Sequence, residues 1–477
     1  MKKLDLNGMN VSEFPREALG FEKMQILRFY GNKLKELPDN LQSCFANLNE
    51  VNISANPIGE WLSNKKIVPK SGLFPETLEV FISKLNSLGC VPPSLANLPS
   101  LVRVDLQYNQ IKEIGKELNN CKQLDELLLN ENNLEKIDKN FGKLNKALTK
   151  LELKSNNLGS IDLANLDSVQ MIDLSHNKVS KFPKNFQKCK NLRHLNLSHN
   201  QIKSLPKKEK EINAENQLNK FILRNNRIDS LDKFPFSQFN ALVELDLSSN
   251  GLSELPESIS CLNSLNKLNV SCNKLSDISN IDWGGLSELK VLLLGSNKLK
   301  AIPSSISKIS GLQNIFIGFN DALSDVSFAE ELPQLKIFSA AGNSISSLNL
   351  KNWKSISSNS LTYLNLSHNL FESIPEGSNL LKWLDISFNK ILNSKISDDS
   401  LFPKLYLDLR NSDNLPLSFQ VPLYEFQEGE QTFKRKVLDN FPFFSTKENS
   451  KFQVNSFYLL YFFTLFDAGR NFGYSRN

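Results

Sequence analysis

The strongest constraint on this chain is an asparagine that returns at nearly fixed spacing. It stands at 32, 56, 86, 109, 132, 156, 177, 200, 226, 250, 273, 297, 320, 343, 369 and 389, at intervals of 20 to 30 residues, most of them 23 or 24. Each Asn closes the same phrase. Leu101, Val104, Leu106, Asn109 and Ile111 set it out, and Leu124, Leu127, Leu129, Asn132 and Leu134 repeat it. Degenerate copies flank the series, Leu4 and Leu6 with Met9 in the Asn place, and Leu407 and Leu409 with Ser412 there. Eighteen copies therefore fill residues 1–415 and leave 416–477 outside the pattern. A length of 477 residues would otherwise suggest several globular domains, but a fixed period turns that prior into one array.

Each place in the phrase has a physical reason. Two apolar residues separated by one form a short strand whose alternate side chains face inward. One such unit cannot bury that face alone, so neighbours stack and their strands join in a parallel sheet. The Asn sits where the chain leaves the strand. Its amide both donates and accepts, and so pairs backbone groups that the turn would otherwise bury unsatisfied. Asn250 is expected inside on this reading and Ser248 on the solvent side. The return path carries Leu255, Pro256 and Ile259, or Ile302, Pro303 and Ile306, with the proline where no N–H is needed. Eighteen strands at about 4.8 Å make a concave arc of about 85 Å.

The phrase, the period and the Leu-Pro return resemble the intracellular leucine-rich-repeat proteins of the Ras-binding group, with their 23-residue repeat. The resemblance implies an α/β fold, a curved leucine-rich-repeat solenoid with a parallel concave sheet. It also implies a cytoplasmic scaffold or regulatory subunit in small-GTPase or phosphatase signalling. The chain departs from that group in showing no flanking N-terminal cap and in its aromatic end.

Composition removes several other functions. Fifty-six basic and 51 acidic residues give a net charge of +5 without clustering, so no nucleic-acid partner is expected. The charged start Met1, Lys2, Lys3 runs directly into the first repeat without an apolar leader. The longest dense apolar run, 457–466, is far shorter than the roughly 20 residues of a membrane span. No transmembrane segment and a cytoplasmic location are expected. There is no phosphate-binding glycine loop, no paired-His zinc motif and no Cys-x-x-Cys. No catalytic, cofactor-binding or metal-ligating residues are therefore expected, and the chain is not expected to be an enzyme. His176, His199 and His368 share the place before the Asn; the first two would be neighbours, and they are read as repeat filler. Cys44, Cys121, Cys189 and Cys261 fall 11 or 12 residues after an Asn, in what should be one buried return position, too far apart to bridge. With no cysteine-clustered caps, a reducing compartment follows. The Asn-x-Ser sequons and the acids Asp105, Asp173, Asp246 and Asp385 lie inside the strand phrase and belong to the repeat.

Three intervals are long. Residues 56–86 include Trp61, Lys65 and Lys66 and a serine, Ser83, in a leucine place; 200–226 include a charged run from Lys207 expected to form a short exposed helix; 343–369 include Trp353. Such insertions map to loops and can bind partners. Residues 416–477 hold twelve of the 32 Phe and four of the 8 Tyr. Within them 428–441 is expected to be an amphipathic capping helix, with Phe433, Val437 and Phe441 on one face.

The outward strand places form the concave face. In the first half they are charged, as at Arg103, Glu126, Lys150, Lys220 and Glu244. In the second half Val291, Ile337, Tyr363, Trp383 and Tyr406 share one column, Leu293 and Phe316 share the next, and Phe319 and Phe388 border them. An apolar run of this kind on a solvated face marks a partner site, and Trp and Tyr are enriched among interface anchors. A monomer that binds a protein partner there without catalysis is expected. Substrate recognition for an enzyme such as a ubiquitin ligase, and a receptor ectodomain, are the alternatives.

Overall fold

A computed structural model describes residues 1–391 apart from 65–71, 208–211, 213–216, 321, 358–359, 376–380 and 382, together with the backbone of 406–408, 426–428 and 431–433. Among these residues one parallel sheet has 18 strands. The strands are three residues long, and each pairs with that of the next repeat, from Lys3–Asp5 against Ile26–Arg28 to Trp383–Asp385 against Tyr406–Asp408. Central residues lie opposite each other, Val104 beside Leu127 and Leu364 beside Leu384, and these are buried. The register is thereby fixed, because a slip of one residue would turn every leucine outward. The second leucine of each phrase follows the strand into the same interior, and the core is continuous from Phe14 to Ile391.

The return limbs are mostly 3-10 turns. Pro256 and Pro303 directly precede Glu257–Cys261 and Ser304–Lys308, in extended conformations that deliver the chain into the turn. The α-helices among the described residues are the short segments Leu41–Cys44, Gly59–Ser63 and Lys354–Ser357. A 23-residue repeat leaves too few residues for longer ones.

Fifteen of the sixteen asparagines are buried and Asn250 is half-buried. Asn156 shows how each works. Its Nδ2 donates to Leu153 O and to Leu129 O of the preceding repeat, both at 3.0 Å, and its Oδ1 accepts from Leu134 N at 2.9 Å. One amide thus ties two repeats together. In the degenerate repeat the hydroxyl of Ser83 replaces a carbonyl and accepts from Asn86 Nδ2 at 2.6 Å.

The residue before each Asn is in the left-handed region in all sixteen repeats, with φ between 53° and 67°. Only Gly31 and Gly342 are glycines there; the others include Leu85, Tyr108, Phe319 and Phe388. Bulky residues adopt this conformation rarely, at a cost of roughly 1–2 kcal/mol each. The stacked ladder holds them in it.

Several expectations change. Ser248 is inside, 2% exposed, and Asp246 Oδ1 accepts from its N at 2.9 Å and its Oγ at 2.6 Å. Strand alternation stops after the second leucine, so the next residue, here Ser248, does not face solvent. Asp173, Asn196, Asn269 and Asp385 cap the same N–H of their own repeats. Cys121 and Cys189 are buried as expected, but Cys261 is exposed and Cys44 only half-buried. The buried place lies 11 residues before the following Asn, where Phe45 and Leu262 stand instead. Trp353 is no loop residue: it is buried with its ring edge-on to Phe338 at 5.4 Å. At the other end, Phe426–Glu428 and Gln431–Phe433 pair as antiparallel strands, so the expected helix 428–441 fails over its first residues. The rest of that helix, Lys65, Lys66 and most of the charged run after Lys207 lie outside the described residues, as does most of 416–477.

Candidate interaction surface

The polar half of the concave face neutralises itself. Arg28 pairs with Glu50 at 2.7 Å, Lys84 with Asp105 at 2.9 Å, Arg103 with Glu126 at 3.2 Å and Lys150 with Glu152 at 2.8 Å. Glu244 lies between Lys220 at 2.7 Å and Lys267 at 3.1 Å. Although partial burial opposes it, these two ammonium groups hold the Glu244 carboxyl below its usual range. Asp105 is buried, and its other oxygen accepts from Gln107 Nε2 at 3.0 Å.

From repeat 13 the outward residues change. The strand places are Val291, Leu293, Asn314, Phe316, Ile337, Ser339, Tyr363, Asn365, Trp383 and Asp385, with one acid and no base. The paired register sets Ile337 beside Tyr363 and Tyr363 beside Trp383, whose rings lie 6.0 Å apart. Leu293 is beside Phe316. Val291 differs from the expectation: it is 6% exposed, and therefore offers little surface to a partner. Tyr406 continues the first column beside Trp383 by its backbone; its side chain lies outside the described residues.

Across the strand direction lies the left-handed column. Phe319 and Phe388 are 40% and 39% exposed, large values for phenylalanine. The Phe388 ring stacks on His368 at 4.2 Å. Gly342 leaves room for the Phe319 ring, since a Cβ there would lie 2.5 Å from Phe319 Cδ1. Between the two columns the place two before each Asn is small and buried, at Gly318, Ala341, Ser367 and Ser387, while the second strand place holds Leu293, Phe316, Ser339, Asn365 and Asp385. Sequence reasoning placed both Phe residues in the site but read His368 as repeat filler, and it passed over the row of small residues two places before the Asn.

Elsewhere His176 and His199 stack at 4.0 Å, with Asn225 Nδ2 2.7 Å from His199 Nδ1. Among the described residues no group of three or more His, Cys, Asp or Glu is placed to hold a metal. No helix among them is long and apolar enough to cross a membrane.

Comparison with known proteins agrees with this architecture. The model described as Leucine rich repeat matches residues 122–179, 216–275 and 263–321; the two-copy Leucine Rich repeats model matches 167–209, and a single Leucine Rich Repeat matches 360–379. Among solved structures, a leucine-rich-repeat protein of Leptospira interrogans has a TM-score of 0.71 at 24% identity, over 85% of this chain and 95% of that one. YopM from Yersinia enterocolitica has a TM-score of 0.60 at 20% identity, over 86% and 91%. The plant peptide hormone receptor RGFR1 in complex with RGF2 has a TM-score of 0.64 at 26% identity, and the alignment covers 85% of this chain but only 65% of the receptor chain. With the asparagine ladder and one 18-stranded parallel sheet, these matches make the chain a leucine-rich-repeat protein.

Proposed function

We propose that this chain is a non-catalytic interaction module that holds a protein partner on the concave face of repeats 13–18. The observation that carries this reading is the change at equivalent outward places. Ion-paired residues end with Lys267, and Ile337, Phe316, Tyr363 and Trp383 follow on strands of the same geometry. Repeat stability does not require that change, because the polar half builds the same sheet. Support also comes from the plant receptor of similar fold, which was solved with a bound partner. The six free cysteines and the Leu-Pro return favour an intracellular scaffold or regulatory subunit of the Ras-binding type over a receptor ectodomain.

Affinity capture with the intact chain, compared across variants by mass spectrometry, tests the proposal. Trp383→Ala should weaken capture by roughly 2 kcal/mol or more at an interface anchor while the fold is kept. A triple change of Arg103, Glu126 and Lys150 to Ala serves as the control. If the triple variant loses the partner and Trp383→Ala retains it, the site lies on the polar half instead.

A further inference from the structure

The sheet ends in a strand that uses only one of its edges. Lys3–Asp5 pairs with Ile26–Arg28; Lys2 O accepts from Ile26 N at 3.1 Å, and Leu6 N donates to Arg28 O at 2.8 Å. Backbone groups alternate in direction along a parallel strand, so those of Leu4 face the same neighbour. The N–H and C=O of Lys3 and Asp5 therefore point the other way, where no strand pairs with them among the described residues. An edge of this kind is a template for another chain.

Two further features leave that side open. Met9 stands in the Asn place, so the ladder has no amide to offer beyond the first repeat. Leu4, Leu6 and Val11 are half-buried, whereas Leu27, Phe29 and Leu34, in the same places one repeat on, are buried. On the concave face Lys3 and Asp5 are exposed, with Nζ and Oδ2 3.0 Å apart.

The edge is complementary to itself. Turned about a two-fold axis beside Leu4, a second copy runs antiparallel and sets its Asp5 opposite Lys3 and its Lys3 opposite Asp5. These are the residues whose backbone groups face outward, so each pair exchanges both of its N–H···O bonds. Leu4 meets Leu4 between them, with Cα atoms about 4.5 Å apart. Opposite charges directly across a pair of strands stabilise it, and like charges do the reverse. An axis beside Lys3 or Asp5 would set that residue against itself. Charge thus selects the axis beside Leu4.

We infer that this chain forms a two-fold dimer in which the two Lys3–Asp5 strands pair antiparallel and the half-buried apolar residues of both first repeats close on each other. This departs from the monomer expected of the sequence. The axis stands perpendicular to the sheet, so both concave faces open to the same side, and repeats 13–18 lie at the two far ends. The dimer does not depend on what those repeats bind.

Analytical ultracentrifugation of the full chain over a concentration series tests this. The unaltered chain should show a reversible monomer–dimer equilibrium, a weak one because one strand and one repeat end make a small interface. Lys3→Glu and Asp5→Lys should each weaken dimerisation about tenfold or more, because each sets like charges opposite at both pairs. An equimolar mixture of the two variants should recover the original affinity. In that mixture the introduced charges face each other, and the native Lys3 of one chain faces the native Asp5 of the other. Melting curves taken where the chain is monomeric should not change, since both side chains are exposed. A dimer that both reversals leave intact, or a mixture that stays monomeric, would overturn the inference. So would a monomer at every concentration, which would mean that the chain covers this edge itself.

Discussion

A single ladder asparagine serves backbone groups from two repeats, and that makes it costlier to remove than its size suggests. Asn156→Ala leaves Leu134 N without its partner, and takes one of two amide donors from Leu129 O and from Leu153 O, which keep Asn132 Nδ2 and Asn177 Nδ2. At about 1–3 kcal/mol for each unsatisfied buried group, the loss should exceed that of an ordinary surface change severalfold in urea melts. Asn250→Ala should cost less than Asn156→Ala, because Asn250 is half-buried and water can reach part of what it leaves. Ser248→Ala should cost about 1 kcal/mol, since it removes a buried bond to Asp246. Equal losses for all three would contradict the ladder. The cysteines offer a second residue-level check. Burial pushes the Cys121 thiol up to about 11 and the Cys189 thiol up to about 12, so neither forms appreciable thiolate near neutral pH. Exposed Cys261 should react with a disulfide reagent in the native protein, and Cys121 and Cys189 only after unfolding. Early labelling of Cys189 would show that its return limb opens locally.

At the scale of one repeat, the strand and the turn differ in how far the sequence discloses them. The inward pair and the Asn were legible because each is a fixed residue type at a fixed offset, and burial enforces both. The residues just before the Asn were not, because alternation lapses there: Ser248 turns inward and Ser249 takes the left-handed conformation. The cysteine place was misjudged because repeats vary in length upstream of it, so that counting back from the next Asn is what finds the buried slot. The left-handed place also connects the fold to the candidate site. Gly342→Ala would put a Cβ against the Phe319 ring at a φ of 64°, and should cost about 1–2 kcal/mol while turning Phe319 aside. Partner capture should fall with it, although residue 342 contributes no side chain of its own; full capture with an intact fold would remove Phe319 from the site. The polar strands can be probed by acid. Glu244 titrates below its ordinary range in the folded chain, so its contribution is present above the unfolded carboxylate pKa and is lost as pH falls through the folded one. Glu244→Gln should therefore flatten the acid limb of a stability–pH curve, and an unchanged limb would show that Lys220 and Lys267 add nothing.

Across the whole molecule, fold and site were not equally legible. Sixteen asparagines over-determine a solenoid, whereas the partner surface depends on places that the fold leaves free, and only their change from charged to aromatic marked it. Every pairing in the 18-stranded sheet joins consecutive repeats, so the array is tied end to end only through its neighbours. Stability in such an array is close to a sum of repeat and interface contributions, and it need not be lost all at once. The four tryptophans make this measurable, since Trp283, Trp353 and Trp383 lie in the second half and only Trp61 in the first. Leu151 is a buried central strand residue of repeat 7, far from those three. Leu151→Ala should cost about 2–5 kcal/mol, borne mainly by the first half. Far-ultraviolet dichroism, which reports all strands, should then fall at lower urea than tryptophan fluorescence. Leu364→Ala, between the two aromatic columns, should reverse the order. Coincident transitions in both variants would mean that all eighteen strands unfold as one cooperative unit, and that coupling through the asparagine ladder exceeds what one buried leucine contributes.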